Sequence, residues 1–83
     1  MKGDMVTYLL HLEGDNYYVG KTSDVLRRLT KHFSGGGSAW TKLHPPKSIM
    51  GVWSGDIETT LYYIIKSLYG ADCVRGAGFT KSI

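Results

Sequence analysis

The chain has 83 residues, a formal net charge of +3, 42% hydrophobic and 20% charged residues, which suits one thin core over residues 1–83 and leaves no room for a second domain. No apolar stretch approaches the ~20 residues that span a bilayer, and Met1-Lys2-Gly3-Asp4 carries no secretory pattern. The single Cys73 can build neither an internal disulfide nor a cysteine-rich metal site. An intracellular protein, in a cytoplasm or the nucleus of a host cell, is expected, without membrane attachment or secretion.

Residues 6–13, Val-Thr-Tyr-Leu-Leu-His-Leu-Glu, read as a strand, being rich in side chains that suit a pleated surface. Gly14-Asp15-Asn16 signals a turn, and residues 17–20 read as the returning strand of a hairpin. Thr22-Ser23-Asp24 offers N-cap oxygens for a helix over residues 24–33. Ser34-Gly35-Gly36-Gly37-Ser38 stops that helix and opens a loop. Pro45-Pro46 bars regular structure just before a strand over residues 47–53. Gly55-Asp56 makes a turn and cap, and residues 57–69 form a second helix that Gly70 ends. The glycine-rich tail, 71–83, fits no single element. The order β-β-α-β-α predicts an α+β fold: a small, mainly antiparallel three-stranded sheet, made of the N-terminal hairpin plus one strand, flanked by helices.

The charge is unevenly spread. Between Lys21 and Lys47 stand six basic residues, Lys21, Arg27, Arg28, Lys31, Lys42 and Lys47, against one acid, Asp24. Such a segment suits a polyanion, nucleic acid first, or else a solvated helix face followed by a loop.

Helical periodicity puts Val25, Leu26, Leu29 and Phe33 on one apolar stripe of the first helix. Arg28 and His32 stand four residues apart at its edge. An arginine fork suits phosphate oxygens, and a histidine can donate, accept or pass a proton; equally, the pair can be a surface arginine and a half-buried histidine. On the second helix Ile57, Leu61, Ile64, Ile65 and Leu68 form the stripe, with Glu58 beside it and Tyr63 away from it. Glu58 can bind a hard divalent cation or simply favour the helix dipole from the first turn. Tyr8 and Tyr18 lie on paired strands. A phenol among cations can act as a base; strand tyrosines also pack half-buried surfaces.

Taken together the pieces form a pattern. Tyr8 in Val-Thr-Tyr-Leu-Leu is followed by Tyr18 in Tyr-Tyr-Val-Gly-Lys-Thr, then Arg27-Arg28-Leu29, His32 and Gly37-Ser38-Ala39-Trp40-Thr41-Lys42. This resembles the GIY-YIG nuclease family, whose two short motifs lie on a hairpin ahead of an arginine-bearing helix. The likeness spans about residues 6–79 and is nearest to small viral and phage members, which carry a similar Ser-Ala-Trp-Thr-Lys segment and a Tyr-Gly…Val-Arg-Gly run, here Tyr69 to Ala77.

The resemblance implies a metal-dependent DNA endonuclease that hydrolyses a phosphodiester with an activated water. It maps catalytic roles onto Tyr8, Tyr18, Arg28, His32 and Glu58, a close-approach glycine onto Gly20, and DNA contacts onto Lys21, Arg27, Lys31, Trp40 and Lys42. It implies one divalent cation, Mg²⁺ or Mn²⁺, on Glu58, with Tyr8 as the base and its pKa lowered by cationic surroundings. Two positions depart from the family pattern. Val6-Thr7 stand where the first motif has glycine and isoleucine. Tyr62 or Tyr63 stands where many members carry the metal-binding glutamate, so that either Glu58 takes the metal or the site is lost. A degenerate member that binds nucleic acid without cutting, and a protein-interaction module using exposed tyrosines, are the alternative readings. With no DNA-reading domain appended, specificity is expected to be low or supplied by a protein partner.

Overall fold

The computed structural model describes residues 4–76. Strand β1 (Val6–Leu12) and strand β2 (Asn16–Thr22) form the expected hairpin. Its turn carries two left-handed residues, Gly14 (φ 73°) and Asp15 (φ 55°), residue types that tolerate that region. Helix α1 (Val25–Phe33) begins at Asp24, whose side chain accepts from the backbone N–H of Arg27. A short helix α2 (Ala39–Leu43) follows, then strand β3 (Pro46–Ser54), helix α3 (Glu58–Tyr69), a 3₁₀ turn at Ala71–Cys73 and strand β4 (Val74–Gly76).

The sheet has four strands in the order β3-β1-β2-β4. β1 is antiparallel to both β2 and β3, whereas β4 runs parallel to β2. The expected three-stranded sheet therefore gains a fourth, parallel strand. It arises from the tail that fitted no element; the rest of that tail, 77–83, lies outside the described residues. Pro46 opens β3 instead of merely preceding it, which an edge strand tolerates because one side of its ladder is free.

Side chains alternate across the sheet. Leu9, Tyr17, Val19 and Val74 pack against Leu61, Tyr62 and Ile65 of α3 in one buried cluster. Tyr8, Leu10, Leu12 and Tyr18 form a second cluster, with Leu29 of α1 and Trp40 of α2 against it. One sheet face therefore belongs to α3 and the other to α1 and α2. Thr7 ties β1 to the start of α3: its hydroxyl donates to the Gly55 carbonyl at 2.8 Å and accepts from the Ile57 N–H at 2.9 Å.

Both helices sit rotated from the expected stripes. On α1, Leu26 is 76% exposed and Phe33 47%, while His32 is completely buried. On α3, Leu61 and Ile65 are buried as expected, but Tyr62 joins them and Ile57, Ile64 and Leu68 face outward. In both cases a polar side chain holds a place inside, and both ring nitrogens of His32 find partners there.

Candidate active site

The site is built on the α1 face of the hairpin. Tyr8 and Tyr18 project to the same side of β1 and β2, with ring centroids 6.3 Å apart. His32 reaches down from α1 between them, its ring 5.6 Å from that of Tyr8 and 5.1 Å from that of Tyr18. The Tyr8 hydroxyl and His32 Nε2 are hydrogen-bonded at 2.7 Å, and both side chains are fully buried. Arg28, one turn before His32 and itself exposed, lies near enough to the Tyr8 and Tyr18 hydroxyls to be coupled to them, Tyr8 first, and its own pKa is raised by them. The four residues that sequence reasoning brought together thus converge on one spot.

Two glycines make the convergence sterically feasible. A Cβ on Gly20, the residue paired with Tyr8 across the hairpin, would collide with the Tyr8 hydroxyl. A Cβ on Gly37 would collide with Nδ1 of His32 and crowd Thr41 Oγ1. Gly37 lies in the run that read as a plain loop. That run instead delivers Ser38, the N-cap of α2, and Thr41, whose Oγ1 lies 3.2 Å from His32 Nδ1. Within the Ser-Ala-Trp-Thr-Lys segment Thr41 has no role of its own legible from sequence, because only the fold places it against His32.

The electrostatics correct one expectation. Burial pushes the Tyr8 phenol up to about 12, with the nearby Arg28 guanidinium opposing and Tyr18 and Glu58 adding to the rise. Desolvation outweighs the cation, so the lowered pKa expected from Arg28 is not realised in the protein alone. His32 moves the other way, down to about 4, first through burial and then through the positive charges of Arg28 and Lys31. It is therefore neutral at pH 7. With Nε2 on Tyr8 and Nδ1 on Thr41, His32 has no ring nitrogen left to hold a water directly.

Glu58 opens α3, and its side chain is only 17% exposed. It lies near enough to Tyr8 to oppose ionisation of the phenol. Lys21 stands between two acids: its ammonium pairs with Asp56 at 2.9 Å and lies 4.0 Å from Glu58. That pairing raises the Lys21 pKa and lowers that of Asp56. Lys21 thus faces the acidic end of α3, apart from the other cations. No cluster of three or more His, Cys, Asp or Glu side chains occurs among the described residues. One carboxylate still fits a hard cation that keeps most of its waters and takes its remaining oxygens from phosphate, as Mg²⁺ does.

The other basic residues divide. Arg27, Arg28 and Lys31 line a surface pocket of about 200 Å³ with Thr22, Ser23 and Asp24. Lys42 is exposed on α2, outside that pocket. Trp40 is turned towards the sheet: its indole N–H donates to the Tyr17 carbonyl at 2.9 Å, and the Arg75 guanidinium lies 4.3 Å over its ring. Its contacts are those of an anchor for α2.

This arrangement of two hairpin tyrosines, a glycine behind the second and an Arg–His pair on the next helix coincides with a family match. The GIY-YIG catalytic domain profile matches residues 5–69. The chain belongs to the GIY-YIG family. A UPF0213 protein of Cupriavidus necator is 43% identical over 44 residues, which cover 53% of this chain and 48% of that protein. A UPF0213 protein of Halalkalibacterium halodurans is 36% identical over 47 residues, or 57% of this chain and 50% of that one. One from Xanthomonas campestris pv. campestris is 37% identical over 43 residues, 52% and 42% of the two chains. The GIY-YIG chain thus spans about half the length of these curated relatives. They are bacterial, and they lend no support to the likeness to viral and phage members. No solved structure matches it. Among the described residues no helix is long and apolar enough to cross a membrane.

Proposed function

We propose that this GIY-YIG domain is a metal-dependent DNA endonuclease that hydrolyses phosphodiester bonds. The observation that carries the reading is the 2.7 Å bond between the Tyr8 hydroxyl and His32 Nε2, with the electrostatically coupled Arg28 guanidinium nearby. A structural core does not need an arginine, a histidine and two tyrosines on one point, whereas phosphoester hydrolysis needs a proton acceptor beside a fork of donors.

In this reading a DNA phosphate enters over Arg28 and competes for its guanidinium. The fork turns to the phosphate oxygens, uncovers the Tyr8 oxygen and stabilises the charge that grows in the transition state. Tyr8 takes the proton of the attacking water on its oxygen while its own proton passes to His32 Nε2. The free protein opposes this transfer, since His32 is held neutral partly by Arg28 and Lys31. A bound phosphate offsets those two positive charges and so ties the chemistry to DNA occupancy. Tyr18 positions the phosphate. Glu58 holds the divalent cation, Mg²⁺ or Mn²⁺, which when bound polarises phosphate oxygens and stabilises negative charge. Arg27, Lys31 and Lys42 hold the DNA backbone without reading bases.

The test is cleavage of supercoiled plasmid with Mg²⁺ or Mn²⁺ against a chelated control. Nicking that requires the ion and disappears in Glu58→Gln supports the reading; wild-type cleavage by Glu58→Gln overturns the metal assignment. A second reading, a DNA-binding domain that does not cut, draws on the Lys21 ammonium 4.0 Å from Glu58, a cation already where the metal would sit. Salt-dependent DNA binding with no cleavage under any divalent ion would favour it.

A further inference from the structure

Four groups form a hydrogen-bonded chain that runs inward from the site. The Tyr8 hydroxyl meets His32 Nε2 at 2.7 Å. His32 Nδ1 meets Thr41 Oγ1 at 3.2 Å. Thr41 Oγ1 lies 3.0 Å from the Ser38 carbonyl. The directions along this chain follow from its inner end. Of the acceptors around the Thr41 hydroxyl, the Ser38 carbonyl at 3.0 Å is nearer than His32 Nδ1 at 3.2 Å or Ser38 Oγ at 3.3 Å, and a carbonyl only accepts, so we assign the single hydroxyl proton of Thr41 to it. Thr41 Oγ1 then has only lone pairs to offer His32, and Nδ1 must carry a proton to bond it. A neutral histidine carries one ring proton, so Nε2 is left with a lone pair and accepts from Tyr8. His32 is 0% exposed, and the opposite tautomer would set Nδ1 and Thr41 lone pairs against each other with no water to relieve them. At the outer end, the nearby Arg28 can only donate, which suits a Tyr8 oxygen whose proton is given to His32.

We propose that Thr41 is a positioning residue: it fixes His32 in the Nδ1–H tautomer and so turns the Tyr8 proton inward, leaving the phenol oxygen as an acceptor towards Arg28. Ser38 supplies both ends of the device. Its side chain caps α2 by accepting from the Thr41 N–H, and its carbonyl takes the Thr41 hydroxyl proton. Gly37 leaves the room in which the imidazole lies. The loop and α2 serve to orient a proton in a site whose reactive groups lie on other elements. The effect on cleavage rests on the endonuclease reading given above; the tautomer does not.

Ring-nitrogen NMR on ¹⁵N-histidine protein reads the tautomer without any cleavage assay, with His32 assigned against His11→Gln and His44→Gln. Wild type is expected to show a protonated Nδ1 and a bare Nε2. Thr41→Val removes the hydroxyl at nearly constant shape and should lose that preference; Thr41→Ser should restore it. A wild-type His32 protonated on Nε2, or an unchanged tautomer in Thr41→Val, overturns the proposal. In the plasmid assay Thr41→Val should cut about 10- to 100-fold more slowly, the loss typical of an orienting partner, with DNA affinity unchanged and Thr41→Ser close to wild type. A shifted tautomer with wild-type cleavage would remove the positioning role. Absence of cleavage in the wild type would instead count against the endonuclease reading, and the NMR result would still decide the tautomer.

Discussion

The two faces of the sheet are made by the same strands and do different work. On the α3 side Leu9, Val19, Leu61, Ile65 and Val74 make a mainly apolar cluster, with Tyr17 and Tyr62 as its polar-tipped members. On the α1 side the neighbouring residues, Tyr8 and Tyr18, share their space with a buried histidine and an arginine. Strand alternation sets reactive and inert residues a single step apart. One face can thus carry most of the apolar packing while the other carries a buried histidine–tyrosine pair with large pKa shifts.

The sharpest way to break this contrast is a pair of substitutions, one per face. Tyr8→Phe should lower plasmid cleavage by on the order of 10²- to 10⁴-fold, the range for loss of a general acid–base group, with DNA affinity retained. Ile65→Ala should do the reverse, costing about 2–5 kcal/mol in denaturant unfolding while the folded fraction cuts at the wild-type rate. Equal activity losses in both would show that the faces are not separable.

Arg28→Ala comes next. Loss of one preorganised transition-state donor predicts a drop of about 10²- to 10³-fold in single-turnover rate. Thermal unfolding should barely move, because Arg28 is exposed. A fully active variant would exclude Arg28 from the chemistry.

The pH dependence of stability should also belong to one face. The unfolded histidine titrates near 6.5 and His32 in the fold near 4. Between those values the unfolded chain binds the extra proton, so stability rises with pH across that window and is lost as pH falls through it. The full swing is about 3 kcal/mol. Urea unfolding at pH 4 to 7 should show this slope in the wild type and lose it in His32→Gln. A slope unchanged in His32→Gln would assign it elsewhere.

The smallest effect is expected at the rim. Replacing Arg27 and Lys31 together by Ala should weaken binding of all DNA sequences alike and reduce the slope of log affinity against log salt by about 2. Fluorescence anisotropy across a salt series measures it, and an unchanged slope would move the DNA path off this pocket.

Much of this was legible before any coordinates. The hairpin, both long helices and β3 follow from alternation, turn residues and caps. So do the two pairs Tyr8–Tyr18 and Arg28–His32, because strand pairing and one helical turn are short-range relations; it is the resemblance to the GIY-YIG family that joins them into one site. Other features were hidden for physical reasons. α2 has five residues and sits behind three glycines, so its periodicity is too short to register. β4 has three residues, and its partners in β2 lie 57 positions earlier, a relation no local pattern carries. The α1 stripe was misplaced because hydropathy ranks Leu26 and Phe33 above His32. It cannot know that residues 8 and 41 will satisfy both imidazole nitrogens.

That last short strand bears on how the chain comes off the ribosome. β4 pairs Val74 with Tyr17 and Gly76 with Val19, and at Gly76 any Cβ would meet the Val19 carbonyl. Val74 is also a fully buried member of the α3-side cluster. Synthesis at about 5–20 residues per second leaves several seconds between emergence of β2 and arrival of its partner. Throughout that delay β2 is an open edge with an unfilled apolar face, the kind of surface that recruits strands from neighbouring chains. The nascent protein therefore has an aggregation-prone interval that lasts until β4 emerges, and a synonymous slow stretch between β2 and β4 would lengthen it.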